Sequence, residues 1–255
     1  MAKPNSRTVL KSQLASPCSA CPVRDWALCQ ALPEGDLAVV ERFMTGHRTL
    51  SPGTDFYHQG EPSEELFTVL EGWGFQYRLL EDGRRQIVRV LLPGDFVGFQ
   101  PDLFAPVAHS AQALTEMRLC IFPRQNLLDL FRDQPQLALR LTWMLARDDS
   151  RAQDWLVNVG RRSARERVAH LLLELYYRVR MRAEEPLGSS IPLPLTQEHI
   201  GDALGLTSVH VNRTLRDLRQ SGLLVVSNRV LNIVDPDGLA EVAGFDSETL
   251  QYLQP

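Results

Sequence analysis

Long apolar runs are missing from this 255-residue chain. None reaches the ~18 residues that a membrane-spanning helix needs, and the opening MAKPNSRTVLKSQ has no apolar core of secretory length. A soluble, cytoplasmic protein with no membrane association is therefore expected. Cysteine is scarce, with four in the whole chain, and the cytoplasm disfavours structural disulfides. Catalytic groupings are missing as well. His47, His58, His109, His170, His199 and His210 are scattered, no glycine-rich phosphate loop follows a strand, and no paired-histidine motif has metal spacing. The chain is read as not being an enzyme, with each lone histidine a surface or core residue. No βαβ alternation occurs, which argues against a parallel sheet.

What is present is unevenly distributed. The net charge is −4, but residues 160–230 hold eleven Arg against seven Asp and Glu, whereas the last 25 residues carry −5. A basic segment between acidic ones suits a separate nucleic-acid-binding domain. A hydrophobic content of 44% and a mean hydropathy of −0.17 indicate one large or two ordinary globular domains.

After a short helical pattern from Glu34 to Met44 come three stretches with strand signatures: TDFYHQGEPSEELFTVLEG, GFQYRLLEDGRRQIVRVLLPGDFVGF and AHSAQALTEMRLCIFPR. Gly60, Gly72, the hairpin-like Glu81-Asp82-Gly83 and Pro93-Gly94 punctuate them, which predicts an antiparallel barrel or jelly roll of about eight strands. From Pro135 to about Val159 the period changes. Leu137, Leu141, Met144, Leu145, Trp155 and Val159 recur at spacings of three and four, predicting one long amphipathic helix ended by Gly160. Its stripe suits a two-fold dimer seam, and Asp148 and Asp149 fall where the seam would continue. These two carboxylates are candidates for a dimer switch driven by like-charge repulsion; the other reading is a helix packed on its own barrel, with both aspartates solvated.

Ser163-Ala-Arg-Glu166 is a capping box that opens a helix through about Met181, and the Pro-, Gly- and Ser-rich AEEPLGSSIPLP follows it as a loop. In LTQEHIGDALGLTSVHVNRTLRDLRQSGLL, Thr196 caps a short helix through Leu204, Gly205 makes the turn, and Thr207 caps a second helix to Ser221-Gly222. Such a helix-turn-helix enters a DNA major groove. Ser208, Val209, Asn212 and Arg213 are placed for base edges, Arg213 for guanine and Asn212 for adenine, while Thr196, Gln197 and His210 are placed for phosphates. VVSNRVLNIVD reads as the β-hairpin of a wing. The expected organisation is an N-terminal cysteine-rich arm (1–34), a β-roll sensor (35–134), a dimerisation helix (135–160) and a winged helix-turn-helix (161–255). The fold class is α+β.

Three of the four cysteines crowd into SPCSACPVRDWALCQAL, as Cys18, Cys21 and Cys29, and the fourth is Cys120. Such a cluster marks a disulfide pair, redox chemistry, or four thiolates meeting at one metal centre.

Taken in order, GEPSEELFTVLEG, LLPGDFVG, the Pro135 helix and the helix-turn-helix resemble the CRP/FNR family of bacterial transcription regulators. The resemblance runs from about Asp36 to Leu239. It implies a homodimer that reads a two-fold symmetric operator on double-stranded DNA and contacts RNA polymerase, with an N-terminal fold like a cyclic-nucleotide-binding domain. Cyclic nucleotide itself is disfavoured. The family's phosphate cassette has Gly-Glu followed by Arg-Ser or Arg-Thr, but here Phe99 follows Gly98 and His109 precedes Ser110. The cysteines are similar to those of the oxygen-sensing FNR branch, which implies that Cys18, Cys21, Cys29 and Cys120 ligate a [4Fe-4S] cluster; zinc, or a thiol switch, is the alternative. Two features depart from the enteric pattern. The spacing C-x2-C-x7-C is longer, and Val209-His210-Val211-Asn212-Arg213 lacks the usual Glu, implying a different operator.

Overall fold

Period-two alternation along the strands organises the first half of the chain. The computed structural model describes residues 17–102, 105–182 and 190–245. The expected arm is thus described from residue 17 onward, and most of the AEEPLGSSIPLP loop and the last ten residues lie outside the described residues. Eight strands follow in order: β1 (Gly46–Leu50), β2 (Asp55–Tyr57), β3 (Glu65–Glu71), β4 (Gly74–Leu79), β5 (Arg85–Leu91), β6 (Phe96–Val97), β7 (Ser110–Ala113) and β8 (Met117–Pro123). They form two four-stranded sheets, β1-β8-β3-β6 and β2-β7-β4-β5, with antiparallel pairing throughout. Phe67 and Val69 of β3 and Met117, Leu119 and Ile121 of β8 face inward, onto Tyr57, Leu91 and Ala111 of the other sheet. Their alternates Leu66, Leu70, Cys120 and Phe122 belong to a second core on the outer face. This is the expected antiparallel roll.

The second core is closed by the arm, by α1 (Leu37–Phe43), α2 (Leu127–Asp133) and the long α3 (Pro135–Arg161). The helix expected over Glu34–Met44 is split: Gly35, a weak helix former, sits in a 3₁₀ turn at Glu34–Asp36, and the α-helix begins at Leu37. The long helix does not stop at Gly160. It runs to Arg161 and ends where Arg162 turns extended (φ −78°, ψ 149°), just before the N-cap of the next helix. Part of the stripe expected to form a seam is turned into the chain's own cores. Leu137, Leu141 and Met144 are buried against Val23, Leu28 and Leu130 of the same chain, and Trp155 packs on the third core.

That third core joins Phe75 and Tyr77 of β4 and Ile87 and Val90 of β5 to α4 (Ala164–Arg180), α5 (Gln197–Leu204), α6 (Ser208–Gln220) and α7 (Pro236–Ala243). A small sheet, β10 (Leu224–Ser227), β11 (Val230–Ile233) and β9 (Ser190–Pro192) in that order, completes the winged helix. The predicted capping box is formed at the start of α4: Ser163 Oγ accepts from Glu166 N, and Glu166 Oε2 accepts from Ser163 N at 2.6 Å. Among the described residues no helix is long and apolar enough to cross a membrane.

One carboxylate ties the roll to the winged helix. Asp95, 0% exposed, follows β5 in the turn Pro93-Gly94-Asp95 and accepts from Leu92 N at 2.9 Å. Arg178 Nη2 of α4 donates to its Oδ2 at 3.0 Å and Arg182 Nη2 to its Oδ1 at 2.9 Å. The same arginines reach the carbonyls of Val90 and Pro93 at 3.1 and 2.7 Å. Burial alone would raise the Asp95 carboxyl, but Arg182, Arg178 and Arg89 outweigh it and hold it well below the usual carboxylate range. Removing one partner of such a buried group strands the others' charge, at about 3–5 kcal/mol. Asp95→Asn is therefore expected to lower unfolding stability in urea by roughly that amount at pH 7. Because the native pKa is depressed, this contribution is intact above pH ~4 and fades as pH falls below it, so wild type and variant should converge in acid. A constant difference down to pH ~2 would show that the charge is not what Asp95 contributes.

Candidate metal centre and nucleic-acid interface

Alternation in β8 sets the place of the fourth cysteine. Cys120 pairs in register with His47 of β1 and Thr68 of β3, so its thiol leaves the outer face of the roll, with Arg118 and Phe122 two residues to either side. The arm lies over this face. Its buried Val23, Ala27, Leu28 and Leu32 anchor it, and two 3₁₀ turns, Cys18–Ala20 and Leu28–Ala31, carry Cys18 and Cys29, with Cys21 between them. Cys18 N donates to Glu41 Oε1 of α1 at 2.7 Å, and Arg24 Nη2 donates to the Leu32 carbonyl at 3.2 Å.

All four thiols are free and line one largely apolar cavity between arm and roll, together with Met44, His47, Thr68 and Arg118. Burial pushes the Cys18 thiol up to about 12, helped by Glu41 and Cys21. It does the same to Cys29, where Cys18 and Cys21 add to the effect. Cys120 is raised well above the usual thiol range by burial and then by the other three. Cys21 is raised less, because the backbone at Val23 and the nearby Arg118 and Arg24 oppose burial. The four groups thus sense one another electrostatically. Four thiolates here would carry more negative charge than Arg118 and Arg24 balance, which only a bound cationic centre could offset. Soft sulfur donors without a disulfide suit a thiolate-ligated centre. Among the described residues, no three or more His, Cys, Asp or Glu side chains are already drawn together as ligands of a single metal ion.

Glu41 and Arg118 belong to this site and Trp26 to the arm beside it, and none of the three was singled out from the sequence. Arg118 stands two residues from Cys120 on a strand, a spacing that places both on one face. Trp26 has no such signal. Its ring covers Gly94, which holds φ +91°, and a methyl group at that position would overlap Trp26 Cδ1.

In the winged helix, Thr196 Oγ1 accepts from His199 N at 3.1 Å and Thr207 Oγ1 from His210 N at 3.2 Å, the two N-caps that the sequence predicts. Gly205 joins the helices in the left-handed conformation, φ +66°. Val211, Thr214 and Leu218 turn inward from α6. Thr196, Gln197, Ser208, Val209, His210, Asn212 and Arg213 are all exposed, and Asn212 Nδ2 donates to Gln197 Oε1 at 3.2 Å, linking the two helices. Val209 is 78% exposed, an apolar side chain facing outward on a polar helix face. At the tip of the wing, Asn228 and Arg229 both have positive φ (50° and 60°), as a two-residue hairpin turn requires.

An antiparallel roll, a long helix and a winged helix-turn-helix define a DNA-binding transcriptional regulator rather than an enzyme. Comparison with known proteins gives the family. Residues 166–242 match the Crp-like helix-turn-helix domain and residues 47–134 the cyclic nucleotide-binding domain. The nitrogen fixation regulation protein FixK of Bradyrhizobium diazoefficiens is 35% identical over 220 residues, covering 86% of this chain and 90% of the relative. The transcriptional activator protein FnrL of Cereibacter sphaeroides is 32% identical, covering 91% and 93%. The solved structure of FixK2 from Bradyrhizobium japonicum superposes with a TM-score of 0.70 at 30% identity, covering 77% of this chain and 96% of that one. The chain belongs to the CRP/FNR family of transcription regulators.

The contact between Trp26 and Gly94 can be tested directly. In Gly94→Ala the new methyl and the indole cannot share the space, and the positive φ adds strain. The arm is expected to open, with trypsin cleaving after Arg24 at least tenfold faster while far-UV circular dichroism is preserved; a tenfold change corresponds to ~1.4 kcal/mol of local opening. Unchanged cleavage would mean the arm is held elsewhere.

Proposed function

We propose that this regulator senses oxygen or redox state through a [4Fe-4S] cluster held by Cys18, Cys21, Cys29 and Cys120. The observation that carries the reading is that all four thiols line one cavity between arm and roll. When bound, such a cluster supplies an oxygen-labile tie between the two. The chain's own residues convert that tie into a change at the long helix. Val23, Ala27 and Leu28 of the arm press on Leu137, Leu141 and Met144, on the back of α3, and Arg140 Nη2 donates to the Trp26 carbonyl at 3.4 Å. A thiol–disulfide switch, the second reading, needs a thiolate as cluster ligation does, and burial, which holds Cys18 and Cys29 at about 12, opposes both unless a bound cationic centre offsets it. Cyclic nucleotide is disfavoured on the same grounds of charge. His109, where the family's cassette has Arg, is lowered to about 4 by burial and then by Arg89 and Arg78, and is therefore neutral; it lies 3.1 Å from the Tyr57 hydroxyl.

The front of α3 is the dimer seam in this reading. Leu139, Thr142, Ala146, Asp149, Gln153, Leu156 and Gly160 are exposed and alternate spacings of three and four; Leu139 and Leu156 are 74% and 70% exposed. Of the two candidate switch residues, only Asp149 lies on this stripe. Asp148 turns back into its own subunit, 2.8 Å from Arg89 Nη2 and 3.2 Å from Arg151 Nη1. In a parallel dimer Asp149 faces its mate and weakens the seam until the arm clamps the helix. The two-fold dimer presents two copies of α6 to a symmetric operator in the cytoplasm. There Arg213 and Asn212 read base edges and Val209 meets a thymine methyl, with Ser208 beside them. Thr196, Gln197 and His210 contact phosphates, and RNA polymerase is the partner on the bound DNA. Residues 1–34, 35–134, 135–160 and 161–255 act as arm, sensor, seam helix and DNA-binding unit.

Anaerobic purification tests the cofactor. The protein should be brown, with about four iron and four sulfide per subunit for a cubane with four cysteine ligands, and Cys120→Ala should lose most of both. A colourless protein carrying zinc, or full iron and sulfide in Cys120→Ala, defeats the four-cysteine cluster. For the seam, Asp149→Ala should tighten the cluster-free dimer about tenfold in sedimentation equilibrium, the scale of one relieved like-charge contact, whereas Asp148→Ala should not. Equal behaviour of the two variants would place the seam on another face.

A further inference from the structure

Two nitrogens in the wall of the cysteine cavity are left without partners. Arg118 and His47 both line the cavity, and Arg118 Nε and His47 Nδ1 are buried with no hydrogen-bond partner among the described residues. Both flank the fourth cysteine. His47 stands opposite Cys120 across the β1–β8 pair, and Arg118 lies two residues before Cys120 on β8, on the same face of the sheet. A buried donor left unpaired is costly, and a charged one more so.

The guanidinium of Arg118 is held from its other side. Its Nη2 pairs with Glu71, its register partner on β3, while Nε is enclosed. The charge is near enough to Cys21 to oppose the burial that raises that thiol. Sulfur is the acceptor that a bound centre would bring to this wall. Burial keeps Cys18, Cys29 and Cys120 protonated, and a thiol accepts weakly. The sulfurs of a thiolate-ligated centre are anionic and accept strongly from a charged donor.

We propose that Arg118 donates through Nε–H to a sulfur of the bound centre and thereby raises the centre's reduction potential. This rests on the cluster reading above and adds to it a residue that is not a ligand. A hydrogen bond to sulfur and a positive charge beside it both withdraw electron density from a cluster, which favours its reduced state. Glu71 acts through Arg118, as a positioning residue that fixes the fork with Nε toward the protein.

The test separates the hydrogen bond from the charge. In Arg118→Gln the amide nitrogen stands as many bonds from the backbone as Nε, so a donor remains without charge; Arg118→Met has similar length and neither. The full-length proteins are purified anaerobically and their iron and sulfide contents compared. Fe–S stretching bands are recorded by resonance Raman in light and heavy water, and cluster reduction is followed in a mediator-equilibrated dithionite titration. Wild type and Arg118→Gln should share an isotope shift that Arg118→Met lacks. At a fixed potential, the ratio of one-electron-reduced to oxidised cluster should be about tenfold lower in Arg118→Met than in wild type, which is ~59 mV, with Arg118→Gln between them. An Arg118→Met protein that holds no cluster where Arg118→Gln holds a full one supports the donor as well. The proposal is overturned if Arg118→Met keeps the shift, or if the two variants behave alike, whether both match wild type, both lose the shift or both fail to assemble. A wild-type protein without iron and sulfide overturns the cluster reading and this inference with it, whereas a normal cluster indifferent to Arg118→Met overturns this inference alone.

Discussion

The buried carboxylate of Asp95 is the constraint on which the arrangement of the chain depends. Two arginines that close the first helix of the winged domain reach 83 and 87 residues back along the chain to grasp it, and each also holds a carbonyl of the same turn. A charge without exposure has one stable arrangement, with its partners in place. The winged helix is thereby fixed to the roll by directional bonds as well as by the apolar contact of α4 on β4 and β5. The same turn contains Gly94, under Trp26 of the arm. Arm, roll and DNA-binding unit thus meet at two consecutive residues, Gly94 and Asp95.

The long helix divides its circumference between three tasks. Its back is apolar and buried under the arm and α2, its flank carries the arginine network with Asp148, and its front stays exposed with Leu139 and Leu156 at either end. The three faces share one continuous helix of 27 residues.

Local signals were legible in the sequence, and long-range ones were not. The N-caps at Ser163, Thr196 and Thr207 and the turn at Gly205 depend on residues three or four positions apart, and all are present. The eight strands were legible because alternation and turn residues are local as well. The phase of α3 was not. Both its back (Leu137, Leu141, Met144) and its front (Leu139, Leu156) are apolar, so period alone could not say which stripe meets the roll, and a shift of one residue exchanges the environments of Asp148 and Asp149. Nor could pattern reveal that Asp95 waits for Arg178 and Arg182, or that Trp26 needs a glycine 68 positions away. The cysteines fall between these cases: their types and spacing suggested a shared centre, while the cavity they line is formed by tertiary packing.

The position of Cys120 imposes an order of events in the life of the chain. Its strand is inserted between β1 and β3, so its thiol reaches the outer face only after pairing with strands some 50 and 70 residues earlier. A nascent chain that has emerged only through Cys29 displays three thiols and no fourth. The complete set comes into being with the last long-range pairing of the roll, which is slow compared with local structure. If a centre is loaded through all four cysteines, as proposed, loading is reserved for molecules whose topology is already correct, and the pocket doubles as a checkpoint on folding.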